Sequence, residues 1–415
     1  MLLNPANGLS KLRLGRAEGP TTAFDAHAMI LRDAGETLIA GNEVELLIDG
    51  PATFDAMLAD IAQAREHIFL QTYTFEGEDV GRRIADALLE RAAQGVEVRL
   101  LYDAVGSLLT PASFFRELVE GGVRVCESNP ITPWRRATGI FSLNHRDHRK
   151  LLVIDEKVAF TGGINVSAVY SSGSRGFTSS ASKQKDTGWR DTHIRVRGPA
   201  VTEFTCLFQE SWARQRGAGE VKAPQNPPPP PVGDRLVTVI GCVPNEDSGR
   251  FYRALLGAMN GANATIHITV AYFVPDPQAV ELLAAAARRG VEVILVLPGF
   301  TDSHLAFHAG HSHYCALLEA GVRIFEFHDC LLHAKTVVID GVWSTVGSSN
   351  FDWRSFFHND ELNAIILGRE FASQMERQFA EDLERAHEVT LEEWQKRSLG
   401  CRVMERFGRL WEYWL

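Results

Sequence analysis

The stretch HRKLLVID at residues 148–155 returns as HAKTVVID at residues 333–340, about 185 positions later. Six residues after each closing aspartate stands a glycine-led tetrapeptide ending in asparagine: GGIN (162–165) and GSSN (347–350). Repetition in this detail extends upstream. EHIFLQTYTF (66–75) parallels ATIHITVAYF (264–273), two β-rich alternating runs. The helical stretches VGRRIADALLERAAQ and QAVELLAAAARR then lead into GVEVRLLYD and GVEVILVLP, followed by LVEGGVRVCE and LLEAGVRIFE. An internal duplication fixes the architecture before any single element does. The fold class is α/β, as two similar halves. Each has a mostly parallel or mixed sheet flanked by helices, parallel where helices intervene.

Length agrees, since 415 residues exceed one typical core. RGAGEVKAPQNPPPPPVGD (216–234) reads as an extended linker. The expected division is an N-terminal extension over 1–40, a first half over 41–215, the linker, a second half over 235–395, and an amphipathic segment over 396–415. The net charge of −10 speaks against a general nucleic-acid binder, so no nucleic acid is expected as partner. No apolar run approaches the roughly 18–20 residues of a membrane span. The opening MLLNPANGLSKLRLGR makes a poor signal peptide. Six scattered cysteines without a CxxC pair read as thiols in a reducing compartment.

On a strand, alternate side chains share a face, which pairs His148 with Lys150 and His333 with Lys335. Asp155 and Asp340 close the strands in turns. Glycines at 162, 163 and 347 open space at the backbone, and Asn165 and Asn350 add amide donors. Each half offers an imidazole, an ammonium and an amide. Two halves face to face supply one histidine to attack phosphorus and one to protonate a leaving group.

Both copies match in full the HxKxxxxDx6G(G/S)xN signature of the phospholipase D superfamily, which the chain resembles over about residues 41–395. NHRDHRKLLVIDEKVAFTGGINVS (144–167), WRDTHIRVRGPAV (189–201) and LLHAKTVVIDGVWSTVGSSNFDWRSFFHNDELNAIILG (331–368) most resemble bacterial cardiolipin synthases that lack N-terminal membrane spans. The resemblance implies two phospholipase D-like halves related by a pseudo-twofold axis, with the active site between them. It implies a catalytic set of His148, Lys150, Asp155, His333, Lys335 and Asp340. Asn165, Asn350, Gly163 and Ser348 are the expected phosphate-binding residues. An acidic residue behind each histidine would orient it: Glu361 for His333 and Asp191 for His148. The activity implied is transfer of a phosphatidyl group between two phosphatidylglycerols through a phosphohistidine, without cofactor or metal. Hydrolysis of phospholipids is the alternative, with nuclease action or a silent membrane scaffold further off. The expected location is the cytoplasmic side of the cell membrane, held peripherally on an anionic surface.

Three features lie outside the motifs. His304, His308 and His311 have helical spacing and tempt a metal reading, against which a helix face near the lipid headgroup is preferred. An insertion at 130–144 carries Trp134, Arg135, Arg136 and Phe141, and a polar insertion at 171–186 reads as a surface loop. The end of the chain groups Val403, Phe407, Leu410, Trp411 and Trp414 near one helical face beside Arg402, Arg406 and Arg409. This face is either an interfacial helix or one docked on the core.

Overall fold

The repeated order of apolar strand and amphipathic helix is realised twice. The structure, a computed structural model, describes residues 22–131, 145–174, 188–220, 228–244 and 249–412. After α1 (Ala23–Asp33), the first half comprises β1 (Ile39–Ile48), α2 (Asp49–Ile61), β2 (His67–Thr72), α3 (Val80–Ala93), β3 (Glu97–Asp103) and α4 (Ala112–Glu120). It continues with β4 (Arg124–Ser128), β5 (Leu151–Ile154), β6 (Val158–Gly162), β7 (Thr192–Arg197) and α5 (Val201–Arg214). The second half opens with β8 (Arg235–Cys242), α6 (Arg250–Gly261), β9 (Thr265–Val270), β10 (Phe273–Val274), α7 (Pro277–Arg288) and β11 (Glu292–Pro298). Then come α8 (His304–His311), α9 (Tyr314–Glu319), β12 (Arg323–Phe327), β13 (Lys335–Ile339), β14 (Trp343–Gly347) and β15 (Phe351–Asp352). The chain ends through α10 (Trp353–Phe357), β16 (Glu361–Leu367), α11 (Arg369–Glu384), β17 (Ala386–Val389), α12 (Leu391–Gln395) and α13 (Leu399–Arg409).

Local chemistry explains the GVEV repeat. Asp276 caps α7, its carboxylate accepting the Ala279 N–H at 2.9 Å, with Pro277 at the first helical position. Gly95 and Gly290 follow α3 and α7 at φ 86° and 92°, the left-handed geometry that ends a helix and turns the chain into the next strand.

Among the described residues, fifteen strands form one sheet in the order β17-β12-β11-β9-β13-β14-β16-β8-β1-β7-β6-β5-β2-β3-β4. Reading outward from the β8–β1 junction, each half repeats the same order, which is the duplication in spatial form. Strands linked by helices pair in parallel, β2–β3–β4 and β9–β11–β12, as expected. The motif strands β5 and β13 are antiparallel to β2 and β9.

The join is closer than a linker alone would make it. Besides the short β1–β8 ladder, Val153, Ile194 and Val196 of the first half share a core with Val338, Val346 and Leu362 of the second. Phe204, Phe208 and Trp212 of α5, with Phe371 and Met375 of α11, complete that central core. The outer faces carry their own cores, Ile84, Leu88 and Phe115 on one side and Leu255, Leu283 and Leu317 on the other. Burial at about 25 cal/mol per Å² of apolar area makes this central layer strongly favourable, so the two halves are held as one rigid frame across the cleft. The N-terminal helix α1 belongs to the second half: Leu31 lies in its core and His27 meets Asp340 at 3.1 Å.

Candidate active site

Each histidine motif enters its strand at the seam between halves. His148 donates its N–H to the Asp360 carbonyl at 2.9 Å, and His333 donates its N–H to the Arg190 carbonyl at 2.8 Å. Reciprocal bonds return, Asp360 N–H to the Arg146 carbonyl and Arg190 N–H to the Leu331 carbonyl, both at 2.9 Å. The segment before each histidine is thus stitched to the other half at the start of β16 or the approach to β7. This backbone exchange decides which carboxylate meets which imidazole.

The pairing is the reverse of the expected one. Glu361 holds His148, its two oxygens 3.1 and 3.2 Å from Nδ1, and Asp191 holds His333, with Oδ2 2.7 Å from Nδ1. Each half supplies the carboxylate for its partner's histidine, so neither half holds a complete pair alone. A carboxylate on Nδ1 leaves Nε2 of each ring for the cavity. That cavity, of about 450 Å³, is lined by His148, Asn165, His333 and Asn350 together. Asn165 accepts the Thr74 N–H at 3.3 Å through Oδ1, and its side chain also hydrogen-bonds Tyr170.

The lysines stand behind the histidines. Lys150 Nζ donates to the His148 carbonyl at 2.6 Å, and Lys335 Nζ donates to the His333 carbonyl and approaches His333 Nδ1 at 2.8 Å. Burial lowers the Lys150 ammonium to about 7 and the Lys335 ammonium to about 8, with the neighbouring carboxylates opposing the shift. Burial and then the Lys150 charge lower His148 to about 4. His333 is pushed well below its ordinary value by burial, Lys335 and Lys150. Burial raises Asp191 to about 6. Burial thus depresses the His333 imidazole and raises the Asp191 carboxyl that stands 2.7 Å from it.

Four expected site residues stand elsewhere. Asp155 accepts the N–H groups of Arg65, Glu66 and His67 at 2.8 to 2.9 Å, and Asp340 accepts those of Asn263, Ala264 and Thr265. Both lie at the far ends of β5 and β13 from the histidines, at φ 51° and 53°. They brace turns and do not line the cavity. Gly163 and Ser348, expected at the phosphate, serve the carboxylates. A β-carbon at 163 would collide with the Asp191 carboxylate, so glycine is what lets it reach His333. At the equivalent position Ser348 donates its hydroxyl to Glu361 Oε2 and accepts the Leu362 N–H at 2.9 Å.

Known proteins resemble the chain in sequence and in fold. The family described as "Cardiolipin synthase, PLD-like domain" matches residues 57–176 and 255–383, one segment per half. A curated cardiolipin synthase of Listeria monocytogenes serotype 4b is 34% identical over 384 residues, 92% of this chain and 77% of that protein. The chain belongs to this family. Cardiolipin synthase 1 of Bacillus cereus is 32% identical over 375 residues, 88% of this chain and 71% of that protein. In fold the chain is similar to the crystal structure of phosphatidylserine synthase from Haemophilus influenzae Rd KW20, with TM-score 0.69 and 13% identity over 94% of this chain and all of that one.

For this PLD-like cardiolipin synthase relative, several cavity residues escaped sequence reasoning. Tyr73 meets His148 edge-on at 5.1 Å between ring centres, and Lys150 Nζ lies 5.5 Å from the Tyr73 ring centre. Tyr170 Oη is 2.9 Å from His333 Nδ1, and Trp189 packs 5.2 Å from the same ring. Arg146 and Arg354 also line the cavity, as do Tyr272 and Asp302, joined at 2.5 Å. Tyr73 and Trp189 stand inside quoted stretches, QTYTF and WRDTH, where only the strand pattern and the acid were read. Tyr170 carries no sequence signal beyond its position five residues after GGIN.

The histidine cluster on α8 takes a different place from the expected one. His311 pairs with Glu326 at 3.3 Å and packs on Phe307 and Trp394, on the side of α8 away from the cavity that Ser303 and Ala306 help line. Among the described residues no group of three or more His, Cys, Asp or Glu is arranged to hold a metal ion. None of their helices is long and apolar enough to cross a membrane. Trp134, Arg135, Arg136, Phe141 and Trp414 lie outside the described residues, as does most of the 171–186 insertion.

Proposed function

We propose that the chain is a phosphatidyltransferase that converts two molecules of phosphatidylglycerol into cardiolipin and glycerol, working on an anionic membrane from the cytoplasmic side. The observation that carries this reading is the crossed pairing of the two histidines with carboxylates of opposite halves on one cavity. The family relationship supports the substrate class.

In the first step His148 Nε2 attacks the phosphorus of one phosphatidylglycerol, forming a nitrogen–phosphorus bond as the bond to the glycerol oxygen breaks. His333 gives its Nε2 proton to the departing alkoxide. Glycerol leaves, and His333 then takes a proton from the hydroxyl of a second phosphatidylglycerol. That oxygen attacks phosphorus, the nitrogen–phosphorus bond breaks, and cardiolipin departs with His148 restored. The low value of His148 suits this order, since an attacking nitrogen must be unprotonated. An anionic phosphodiester near Lys150 and Lys335 offsets their charge and lets His333 hold the proton it must donate. Asp191, buried against His333, stabilises the imidazolium while it lasts, and Glu361 does the same for the phosphorylated His148 ring. Lys150, Lys335, Asn165 and Asn350 stabilise the phosphoryl oxygens.

The test is incubation with radiolabelled phosphatidylglycerol vesicles and separation of the products. Cardiolipin with an equal amount of glycerol is the expected result. Phosphatidic acid alone would show that water is the acceptor and the chain a hydrolase; cleavage of DNA without lipid turnover would overturn the reading.

A further inference from the structure

The C-terminal helix is packed inside out. Surface helices ordinarily bury an apolar stripe and expose polar residues. In α13 the buried residues are Glu405 and Gly408. Gly408 brings the helix backbone against α8, where a β-carbon would come within 2.7 Å of the Ala309 nitrogen. Glu405 turns inward to a two-point pair with Arg397 at 2.6 and 2.7 Å, and Glu412 turns inward to His313 at 3.0 Å. The outward face carries Leu399, Val403, Phe407, Leu410 and Trp411, exposed between 47% and 78%. Arg402, Arg406 and Arg409 are exposed beside them. In a chain of net charge −10, both acids of this segment face inward and its arginines stay outside.

A second apolar display stands across the cavity. Between β3 and α4 the chain exposes Leu108 at 61% and Leu109 at 96%. This loop has not simply failed to fold inward. Asp103 accepts the Val105 N–H at 2.9 Å, Ser107 Oγ accepts the Phe75 N–H at 2.9 Å, and Thr110 donates to the Phe75 carbonyl at 2.6 Å. The duplication relates the two displays. The loop hangs on Phe75, and α8, which carries α13, rests on the equivalent Phe273, where Gly310 packs on the backbone carbonyl. Tyr73 and Thr74 line the cavity on one side, and Tyr272, Ser303 and Ala306 on the other.

We propose that the Leu108–Leu109 loop and the outward face of α13 form a two-point anchor that seats the cavity mouth on an anionic lipid bilayer. The occupant follows from charge and position: a face of leucine, aromatic residues and arginine without an outward carboxylate matches an anionic interface, and both displays flank the cavity that would receive the lipid. The proposal rests on the phosphatidyltransferase reading for the identity of that lipid.

The experiment compares the full chain with Leu108→Ser/Leu109→Ser, Phe407→Ser/Trp411→Ser and the fourfold variant, in co-sedimentation with vesicles of phosphatidylglycerol and phosphatidylcholine. Each pair is expected to weaken binding tenfold or more and the fourfold variant a hundredfold or more. Melting temperature and turnover of monodisperse dihexanoyl phosphatidylglycerol should stay unchanged, while turnover of long-chain vesicles falls with binding. Leu109→Ser alone, at the most exposed position, covers the case in which a double variant fails to fold. Unchanged vesicle affinity in the fourfold variant overturns the proposal. So does a parent dimer that the variants dissolve without loss of vesicle binding, which would make the face a contact between copies. A parent that binds vesicles as expected yet never turns over dihexanoyl phosphatidylglycerol would sink the catalytic reading and leave the anchor standing.

Discussion

The two halves present the same motif in different surroundings. Around His148 the carboxylate is the longer glutamate, which straddles Nδ1 with both oxygens and is itself held by the Ser348 hydroxyl. Around His333 it is the shorter aspartate, in contact at 2.7 Å only because Gly163 leaves room, with Tyr170 and Lys335 crowding the same nitrogen. His148 has the edge of Tyr73 beside it, while His333 has Trp189. A duplicated strand therefore delivers two imidazoles to one cavity, and the residues outside the duplicate pattern make them chemically unequal. The His148 side is open and singly braced, as an attacking group requires. The His333 side, where Tyr170, Lys335 and Asp191 all reach Nδ1, suits a group that gives and takes a proton.

Removing either imidazole should produce the largest effect. His148→Ala and His333→Ala are each expected to lower turnover by about 10⁴-fold or more, with the double variant little worse than either, because the two act as one unit. Unequal roles sharpen this. If His148 is the nucleophile, quenching labelled phosphatidylglycerol in a mildly alkaline denaturant, where the nitrogen–phosphorus bond survives, should trap a phosphatidyl-enzyme in His333→Ala and none in His148→Ala. Label trapped on the reverse variant would exchange the assignments.

The crossed carboxylates give the next effect, about 10²- to 10⁴-fold. Glu361→Gln should copy the loss of His148, in the other half, and Asp191→Asn should copy the loss of His333. Single-turnover measurements separate formation of the phosphatidyl-enzyme from its transfer. A Glu361→Gln variant with normal intermediate formation would mean that the bond to His148 plays no part in attack.

This pairing marks the limit of what the sequence makes legible. The duplication, the parallel strands, the two histidines and the asparagines are local patterns; the histidines and asparagines line one cavity, while the lysines stand behind it. Glu361 lies 213 residues from His148, and nothing near either residue encodes their meeting. It arises from two backbone bridges across the seam, Asp147 with Asp360 and Arg190 with Leu332. Arg190 itself, buried and paired with Asp382 of α11 at 2.7 and 2.8 Å, is a cross-half tie invisible to any local rule. For the closing aspartates the turn reading of the residues and the catalytic role implied by the resemblance part company, and the structure has them bracing turns. They belong to the motif in sequence, yet the four residues of β5 and the five of β13, roughly 3.3 Å each, carry them to the far end of their strands.

The lysines differ by a smaller margin. Burial lowers Lys150 to about 7 and Lys335 to about 8. Both must be protonated to stabilise a phosphodiester, so kcat/KM should fall as pH rises through the lower value first. Lys150→Arg keeps its charge at every working pH and should move the alkaline limb upward by about one unit, to the value of Lys335, while Lys335→Arg should leave the first limb in place. At pH 8, with both ammonium groups required, the parent would then run about twentyfold below its plateau. Identical profiles for both variants would show that the two ammonium groups titrate as one.

The smallest difference concerns the turns behind the site. Asp155 is satisfied by backbone N–H groups alone, whereas Asp340 has those and His27 of α1 as well, at 3.1 Å. The hydrogen bonds to His27 and the backbone hold the Asp340 carboxyl below its ordinary value, although burial works against them. A carboxylate depressed in the folded state stabilises the protein above its unfolded value of about 3.9, and that contribution is lost as pH falls through the folded value. His27→Ala should therefore cost about 1 kcal/mol in urea unfolding at neutral pH, the worth of one buried hydrogen bond, with kcat unaltered because α1 lies on the outer face of the second half. Asp340→Asn should cost more, about 2 kcal/mol, and its penalty should shrink below pH 4, as the parent carboxylate is itself protonated there. Loss of turnover in His27→Ala with unchanged unfolding would instead tie α1 to the chemistry and give the second half a role that its counterpart lacks.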